Sequence, residues 1–218
     1  MFKIFAILTF VTNCAICSSH IDSINHFQNE NENSLYKDFC DFIDILPIDD
    51  IRNLTKHFYA NDEEMRESYD YLRSDGYKLI LDRLSQVTIL KKFSTFLNDT
   101  GVNLKEFEKK IERIVLTNEE TDSIIVNENR SNLGGIDAYF NECLLIIPQD
   151  EVLTTFFAKM EQSNAFSSFL EKLSTSDYAD VMTNLQQSQG LQILYFDLKS
   201  HGIDILEWGK SVKGFFGY

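Results

Sequence analysis

The residues of this sequence that could do chemistry are a few histidines and cysteines and many carboxylates. His57 lies shortly before three acidic residues at positions 62–64, and imidazole together with carboxylate oxygens is a ligand set that transition metals accept. No His-x-x-x-His or Cys-x-x-Cys spacing accompanies it. We therefore expect His57 to be a partly exposed helix histidine, and we expect neither a metal nor a cofactor.

Catalytic arrangements are not indicated either. The sequence contains many carboxylates, such as Asp49 and Asp50. Neighbouring carboxylates of this kind belong far more often to a solvent-exposed helix face than to a catalytic acid/base pair. His201 directly precedes Gly202, where a cation would interact with the last carbonyls of a helix. Neither a glycine-rich phosphate loop nor a nucleophile elbow is present. We expect a protein that is not an enzyme, and we assign no catalytic residue.

The N-terminal residues have the layout of a secretory signal peptide. Lys3 gives a short positive start, residues 4–16 are nearly all apolar, and small residues follow at 17–19. The apolar run is too short for a stable membrane span. We expect residues 1–19 to be removed and the mature protein to be secreted.

Removal of the signal peptide would leave two cysteines, Cys40 and Cys143. In an oxidising compartment they could form one disulfide, provided that their α-carbons come within about 7 Å. Two buried free thiols are the alternative, and the sequence does not choose between them. Three N-glycosylation sequons fit the secretory route, and they begin at Asn53, Asn98 and Asn129.

The charge balance is strongly acidic, with a net charge of −14 for the full chain. The loss of Lys3 with the signal peptide would make the charge of the mature form −15. Such a field repels nucleic acid and anionic membrane surfaces, and no basic cluster interrupts it. Nucleic-acid binding is therefore excluded.

The second half of the chain repeats the first, 101 positions further on. Apolar and turn-forming residues recur at this offset: Pro47 and Pro148, Leu84 and Leu185, Leu90 and Leu191, Leu97 and Leu198, Gly101 and Gly202. Hardly any shared position is a polar group that could do chemistry. This pattern indicates a duplicated architecture rather than a single asymmetric active site.

Each repeat is predicted to form about six short amphipathic helices, because apolar residues recur at helical spacing and the chain has only two prolines and nine glycines. In the first repeat one helix ends before Pro47, the next begins there, a third runs over 62–72, and Asp75-Gly76 marks a break. The predicted organisation is a signal peptide (1–19), a polar leader (20–34), helical repeat 1 (35–116), a polar linker (117–135) and helical repeat 2 (136–218), with both repeats in one domain.

Several segments of the first repeat together resemble a known family. They are Asp41-Phe42-Ile43-Asp44-Ile45-Leu46-Pro47, His57-Phe58-Tyr59, Tyr69-Asp70-Tyr71-Leu72 and Leu97-Asn98-Asp99-Thr100-Gly101-Val102. From residue 35 onwards the chain is similar to the insect allergen-related repeat family, which includes a cockroach gut allergen, midgut microvillar proteins and nitrile-specifier proteins. The second repeat departs from the pattern, with Ala158-Lys159-Met160 in place of His57-Phe58-Tyr59.

The resemblance implies an all-α shell in which two duplicated sets of helices enclose one large apolar cavity that holds fatty acids or phospholipids. Amphipathic helices alone would equally allow a closed core, because both arrangements need the same inward-facing apolar side chains. As a group, we predict that the following residues line the cavity: Phe42, Ile51, Leu54, Phe58, Leu72, Leu84, Leu90, Phe93, Leu97, Leu104, Phe107, Val152, Phe156, Phe169, Leu185, Leu191, Leu194, Leu198, Ile205 and Trp208.

The resemblance also implies a function, which is non-enzymatic binding of fatty acids or other lipids in the lumen of the insect midgut. Two alternatives remain open. One is a membrane-active or microvillar structural protein that associates peripherally with the microvillar membrane. The other is a nitrile-specifier-like factor in detoxification. The sequence does not determine the oligomeric state.

Overall fold

A computed structural model of the chain describes residues 35–85, 88, 91–92, 95, 116–126, 133–173, 175–177, 180, 183–184 and 187–215. These residues form helices joined by short connections and include no strand, so the all-α prediction is confirmed. None of the helices in these ranges is both long and apolar enough to cross a membrane. The predicted signal peptide and polar leader lie outside the described residues.

The helices whose bounds the described residues define are α1 (Leu35–Asp44), α2 (Ile48–Asn61), α3 (Glu63–Arg73), α4 (Asp75–Ser85), α5 (Asn118–Asp122), α6 (Gly135–Ile146), α7 (Gln149–Gln162), α8 (Asn164–Leu173), α9 (Gln189–Ser200) and α10 (Ile205–Phe215).

Two 14-residue helices, α2 and α7, begin directly after the two prolines of the chain. The carbonyl of Pro47 accepts from the amide of Ile51 at 2.9 Å, and that of Pro148 accepts from the amide of Val152 at 3.0 Å. Acidic residues occupy the first turn of both helices, where the helix dipole favours negative charge. The predicted start of a helix at Pro47 is therefore confirmed.

The next helices, α3 and α8, also begin alike. Asp62 and Ser163, 101 positions apart, are buried residues in extended conformation that cap the helix N-terminus. The Asp62 carboxylate accepts from the amide of Met65 at 2.8 Å, and the Ser163 hydroxyl accepts from that of Phe166 at 3.2 Å. These offsets are the ones the sequence repeat predicts, and the duplication itself stays a prediction.

The first helix of each predicted repeat packs on the other repeat. Helix α1 lies against α7 and α8, while α6 lies against α2 and α3. Helix α6 also contacts α10, and α9 contacts α4 and α10. The first helix of each predicted repeat therefore packs on helices of the other, and the assignment of both repeats to one domain stays a prediction.

Two groups of packed side chains hold this arrangement together. The aromatic cluster joins α1, α7 and α8, and it consists of Phe39, Phe42, Phe156, Phe166 and Phe169. The tyrosine-rich cluster joins α2, α3, α4, α6 and α9, and it consists of Phe58, Tyr59, Met65, Tyr69, Tyr77, Leu116, Ile136, Leu198 and Ile203. Ring centroids 5.3 Å apart at 85° for Phe39 and Phe169 show edge-to-face packing, which is favourable beyond the buried area.

The structure corrects two details of the predicted segmentation. The break after α3 lies at Ser74, which is extended, so Gly76 belongs to the first turn of α4 rather than to a break. The predicted polar linker contains α5, because Thr117 and Glu120 form a capping box at its start. Helix α5 is held against the fold by one hydrogen bond from Arg73 to Thr121 (2.9 Å) and by an ion pair between Arg52 and Glu120.

Candidate functional site

The residues predicted to line a cavity fall into three groups in the structure. Buried members are Ile51, Phe58, Val152, Phe156, Phe169 and Leu198. Half-buried members are Phe42, Leu54, Leu72, Leu191, Leu194, Ile205 and Trp208. Leu84, Leu90, Phe93, Leu97, Leu104, Phe107 and Leu185 have side chains that lie outside the described residues.

Four of the six buried members belong to the two packed clusters. Phe58 and Leu198 belong to the tyrosine-rich cluster, and Phe156 and Phe169 belong to the aromatic cluster. Phe58 meets the ring of Tyr139 from α6 with centroids 5.7 Å apart. These four side chains pack helix against helix, which is the closed-core alternative for this part of the set.

Helix α9 carries a second apolar stripe that the sequence-based prediction missed. Leu198 is 3% exposed, whereas Ile193 is 56% and Phe196 67% exposed. At 100° per residue, Ile193 and Phe196 project from the side of the helix opposite to Leu198. A signal was present in the sequence, because the apolar residues at 191, 193, 194, 196 and 198 lie on two opposite sides of the helix rather than on one face.

Other helices combine a buried and an exposed apolar face in the same way. In α7, Val152 and Phe156 are buried while Phe157 is 51% and Met160 43% exposed. Further large apolar side chains that are exposed on helices are Leu79 on α4, Leu145 on α6 and Leu206 on α10. Because α9 packs on both α4 and α10, its exposed stripe has neighbours that also carry exposed apolar side chains. These second faces are the candidate lipid-contacting surface.

Trp208 is a residue of α10, and its side chain packs against α6. Its ring stacks on Phe140 with centroids 4.6 Å apart and an angle of 9°, and its indole N–H donates to the Asp137 carboxylate at 2.6 Å. It is half-buried and is the single tryptophan of the chain. Its fluorescence can therefore report both on unfolding and on events at α10.

The two histidines of the described residues, His57 and His201, have structural roles. His57 is exposed on α2 and forms a hydrogen bond with Asn61, as predicted for a helix histidine. His201 caps the C-terminus of α9, and its ring stacks on Tyr71 from α3 with centroids 3.5 Å apart. Within the described ranges, no group of three or more histidine, cysteine or acidic residues is placed to hold a metal ion.

Asp62 is the most connected buried carboxylate of the described residues, and the sequence-based prediction did not single it out. It accepts from the backbone N–H groups of Met65 (2.8 Å), Leu133 (2.6 Å) and Gly135 (3.2 Å), and so ties the start of α6 to the start of α3. Burial alone would raise the pKa of the Asp62 carboxyl, but the backbone donors outweigh burial and lower it. The group joins two helices and has no catalytic geometry.

Cys40 and Cys143 are free thiols in the structure, which is the second of the two alternatives left open by the sequence. Cys40 is buried on α1, and Cys143 is half-buried on α6. The two helices pack on different partners, α1 on α7 and α8 and α6 on α2 and α3. The Cys143 side chain is surrounded largely by protein, and this burial raises the pKa of its thiol to about 11.

We expect Cys143 to react slowly with alkylating reagents. Only the thiolate reacts, so a pKa of about 11 instead of 9.0 lowers the rate at pH 8 by about 100-fold relative to a free thiol. The measurement is the rate of iodoacetamide labelling of a Cys40→Ser variant, which should rise about tenfold per pH unit from pH 7 to 10. A protein that labels only after reduction would contain a disulfide and contradict this arrangement.

A family profile described as insect allergen related repeat, nitrile-specifier detoxification, matches residues 34–208. The chain belongs to the insect allergen-related repeat family. It is also similar to Protein G12 of Anopheles gambiae, with 23% identity over 213 residues that cover 97% of this chain and 99% of the relative.

The matched range of this family member runs from the residue before α1 to Trp208 in α10. It therefore includes both packed clusters and the exposed stripes of α7 and α9. Of the three predicted glycosylation sites, Asn53 is exposed on α2, and Asn98 and Asn129 lie outside the described residues. Thr55 of the first sequon is buried, and its hydroxyl is hydrogen-bonded with Tyr139 at 2.8 Å.

Proposed function

We propose that this member of the insect allergen-related repeat family binds fatty acids or other lipids in an internal hydrophobic cavity, without catalysis, as a secreted protein of the insect gut lumen. The observation that carries the proposal is the second apolar face of helices such as α9, where Phe196 is 67% exposed although Leu198 on the opposite side is packed. A large apolar side chain in water is unfavourable, and a bound acyl chain would cover it.

In this proposal the two apolar faces of a helix have different roles. The aromatic and tyrosine-rich clusters hold the helices against one another, and the exposed faces surround the acyl chains. The half-buried members of the predicted lining set on α9, Leu191 and Leu194, lie on the same side of the helix as the packed Leu198, and Leu194 packs against the tyrosine-rich cluster. Ligand contacts are therefore expected from the exposed residues of the second faces rather than from the packed side chains.

Binding energy is expected to come from the acyl chain. Each buried methylene contributes about 0.8 kcal/mol, so a chain of about sixteen carbons gains roughly ten kcal/mol before the loss of ligand entropy. Affinity should therefore rise with acyl length and depend little on the head group. The strongly negative charge of the protein also favours a site that leaves an anionic head group in water.

A double variant of the exposed stripe tests the proposal. Ile193→Ser with Phe196→Ser should weaken binding of a fluorescent long-chain fatty acid by about tenfold or more, because two apolar contacts are lost. The thermal midpoint should be nearly unchanged, since both side chains are exposed. The matched control on the same helix is Gln189→Ser with Gln192→Ser, which should leave binding unchanged.

If the Ile193→Ser, Phe196→Ser variant binds the fatty acid with unchanged affinity, α9 is not part of the binding site. Failure of the wild-type protein to take up any fatty acid would contradict the proposal as a whole. The alternative is tested by flotation of the protein with neutral and with anionic liposomes. A protein that floats with liposomes but takes up no free fatty acid would favour peripheral membrane association instead. The charge of −14 predicts that anionic vesicles bind less than neutral ones.

A second candidate function rests on the description of the matching family, which includes nitrile-specifier detoxification. A factor of this kind would direct the breakdown of plant glucosinolates towards nitriles. The test is the product ratio of glucosinolate hydrolysis by a plant myrosinase, with and without the purified protein. A shift towards nitrile would support this candidate, and an unchanged ratio together with fatty-acid uptake would support the lipid binder.

A further inference from the structure

The exposed face of helix α9 carries no charged side chain from Gln189 to Phe196. Residues 181–196 include no aspartate, glutamate, lysine or arginine, although 25% of the residues of the chain are charged. The exposed side chains of this stretch within α9 are Gln189, Gln192, Ile193 and Phe196. The apolar stripe of α9 is therefore bordered by neutral amides, in a protein whose net charge is −14.

The two charged residues that follow the stripe are engaged by other groups of the protein. The Asp197 carboxylate accepts a hydrogen bond from the hydroxyl of Tyr71 on α3. The Lys199 ammonium lies 2.9 Å from the Asp204 carboxylate and 5.6 Å from the centre of the Tyr195 ring. Hydrogen bonding to Asp204 raises the pKa of the Lys199 ammonium. The cation nearest to the stripe along α9 is thus matched by a carboxylate of the protein itself.

Lysines close to the exposed apolar side chains of other helices are paired in the same way. They lie within one helical turn of Leu79, Met160 and Leu206, which are all exposed. Each is within ion-pair distance of a carboxylate: Lys78 with Asp75 (3.1 Å) on α4, Lys159 of α7 with Asp38 (3.0 Å), and Lys210 with Glu207 (2.5 Å) on α10. Such an ammonium would have to leave a protein carboxylate before it could bind the carboxylate of a ligand.

These pairings affect charged and uncharged lipid head groups differently. A carboxylate that approaches an apolar face loses part of its hydration, and this loss is costly unless a cation compensates it. The negative charge of the protein adds repulsion for an anion. An ester, an alcohol or a zwitterionic head group carries no net charge and does not experience this repulsion.

We propose that the lipid site formed by the second apolar faces selects lipids without net charge, such as long-chain esters, over ionised fatty acids. This inference rests on the lipid binding proposed above and names the class of lipid. The acyl chain supplies most of the affinity in either case. The charge of the head group decides between lipids that share one acyl chain.

A fluorescent acyl chain, used as its free acid and as its methyl ester, tests the selection. At about pH 8 the acid is ionised, and the ester should bind the full chain at least about threefold more tightly. The variant Gln192→Lys places an ammonium beside the stripe. It should tighten binding of the acid about threefold and leave binding of the ester unchanged. Added salt should reduce this gain, because salt screens exposed charges.

The matched control is Ser168→Lys on α8, which adds the same charge at an exposed position. The described residues of α8 include no exposed large apolar side chain, so this variant should change the affinity for the acid much less. Circular dichroism checks that both variants are helical. The comparison of acid and ester on the wild-type protein stands whether or not a variant folds.

The proposal is overturned if the acid binds the wild-type protein as tightly as the ester, or if Gln192→Lys and Ser168→Lys change the affinity for the acid equally. A variant Arg83→Gln that loses affinity for the acid alone would also overturn it. Arg83 is exposed one turn beyond Leu79 on α4, and it would then hold the carboxylate. If neither acid nor ester binds, lipid binding itself fails, which is a different result from equal affinity for the two.

Discussion

Phe58→Ala is expected to lower the free energy of unfolding by about 3–5 kcal/mol, because the ring is buried and its removal leaves a cavity in the tyrosine-rich cluster. Phe196→Ala removes the same side chain from a position that is 67% exposed, and it should change the free energy of unfolding by less than about 0.5 kcal/mol. The measurement is urea denaturation followed by the fluorescence of Trp208.

The pair of variants also separates packing from ligand contact. Phe196→Ala should weaken binding of a long-chain fatty acid while the protein stays folded. At temperatures where it remains folded, Phe58→Ala should retain the acyl-length dependence of the wild-type protein. Equal loss of stability in the two variants would mean that the exposed stripe of α9 is part of the core, and the distinction between the two faces would be wrong.

Asp62→Ala is expected to lower the free energy of unfolding by about 3 kcal/mol, since several backbone donors lose a charged acceptor in a buried place. Asp62→Asn keeps one acceptor oxygen and should cost less. Ser163→Ala at the equivalent N-cap is the comparison, with an expected loss of about 2 kcal/mol, because its hydroxyl caps α8 and also donates to the buried Asp38 carboxylate. Chemical denaturation of the three variants at pH 7 gives the comparison.

The effect of Asp62 should depend on pH in a definite direction. Its pKa in the folded protein lies below the ordinary value of 3.8, so its contribution to stability is present above about pH 4 and is lost as the pH falls through the folded pKa. The stability difference between the wild-type protein and Asp62→Asn should therefore shrink from pH 7 to pH 3. A stability difference that stays constant from pH 7 to pH 3 would show that the charge of the Asp62 carboxylate does not stabilise the folded protein.

Local sequence patterns predicted the elements well because helix starts depend on neighbouring residues. Pro47 followed by acidic residues predicted the start of α2, and the helix predicted over 62–72 is observed as Glu63–Arg73. His201 before Gly202 predicted the end of α9, and Gly202 indeed has the positive φ of 78° that favours glycine after a helix. The capping box at Thr117 was also readable, but the polar composition of 117–135 concealed it.

The partners of each helix were not predictable, because they depend on contacts between residues far apart in the chain. The departure at Ala158-Lys159-Met160 looked like a loss of pattern. In the structure Lys159, at the position of Phe58 in the first repeat, pairs with Asp38 and Asp41 across the two halves. Likewise Asp62 resembled a surface carboxylate until its contact with the start of α6 was known.

The sequence alone distinguished the predicted lipid-contacting residues from the core residues only in part. Apolar periodicity identifies the helical positions that avoid water, but a packed ring and a lipid-contacting ring satisfy it equally. The structure separates them by exposure. Phe58 and Phe169 pack against protein, whereas Phe157 and Phe196, which had not been singled out, are exposed and are the rings that the proposed lipid binding would use.

Native mass spectrometry of the protein as secreted, followed by denaturing extraction of whatever accompanies it, tests the central claim most directly. Binding of lipid by the second apolar faces predicts a folded protein that carries fatty acid or phospholipid in stoichiometric amount, and an Ile193→Ser, Phe196→Ser variant that carries less. A secreted protein that carries no lipid and does not bind added fatty acid would contradict lipid binding.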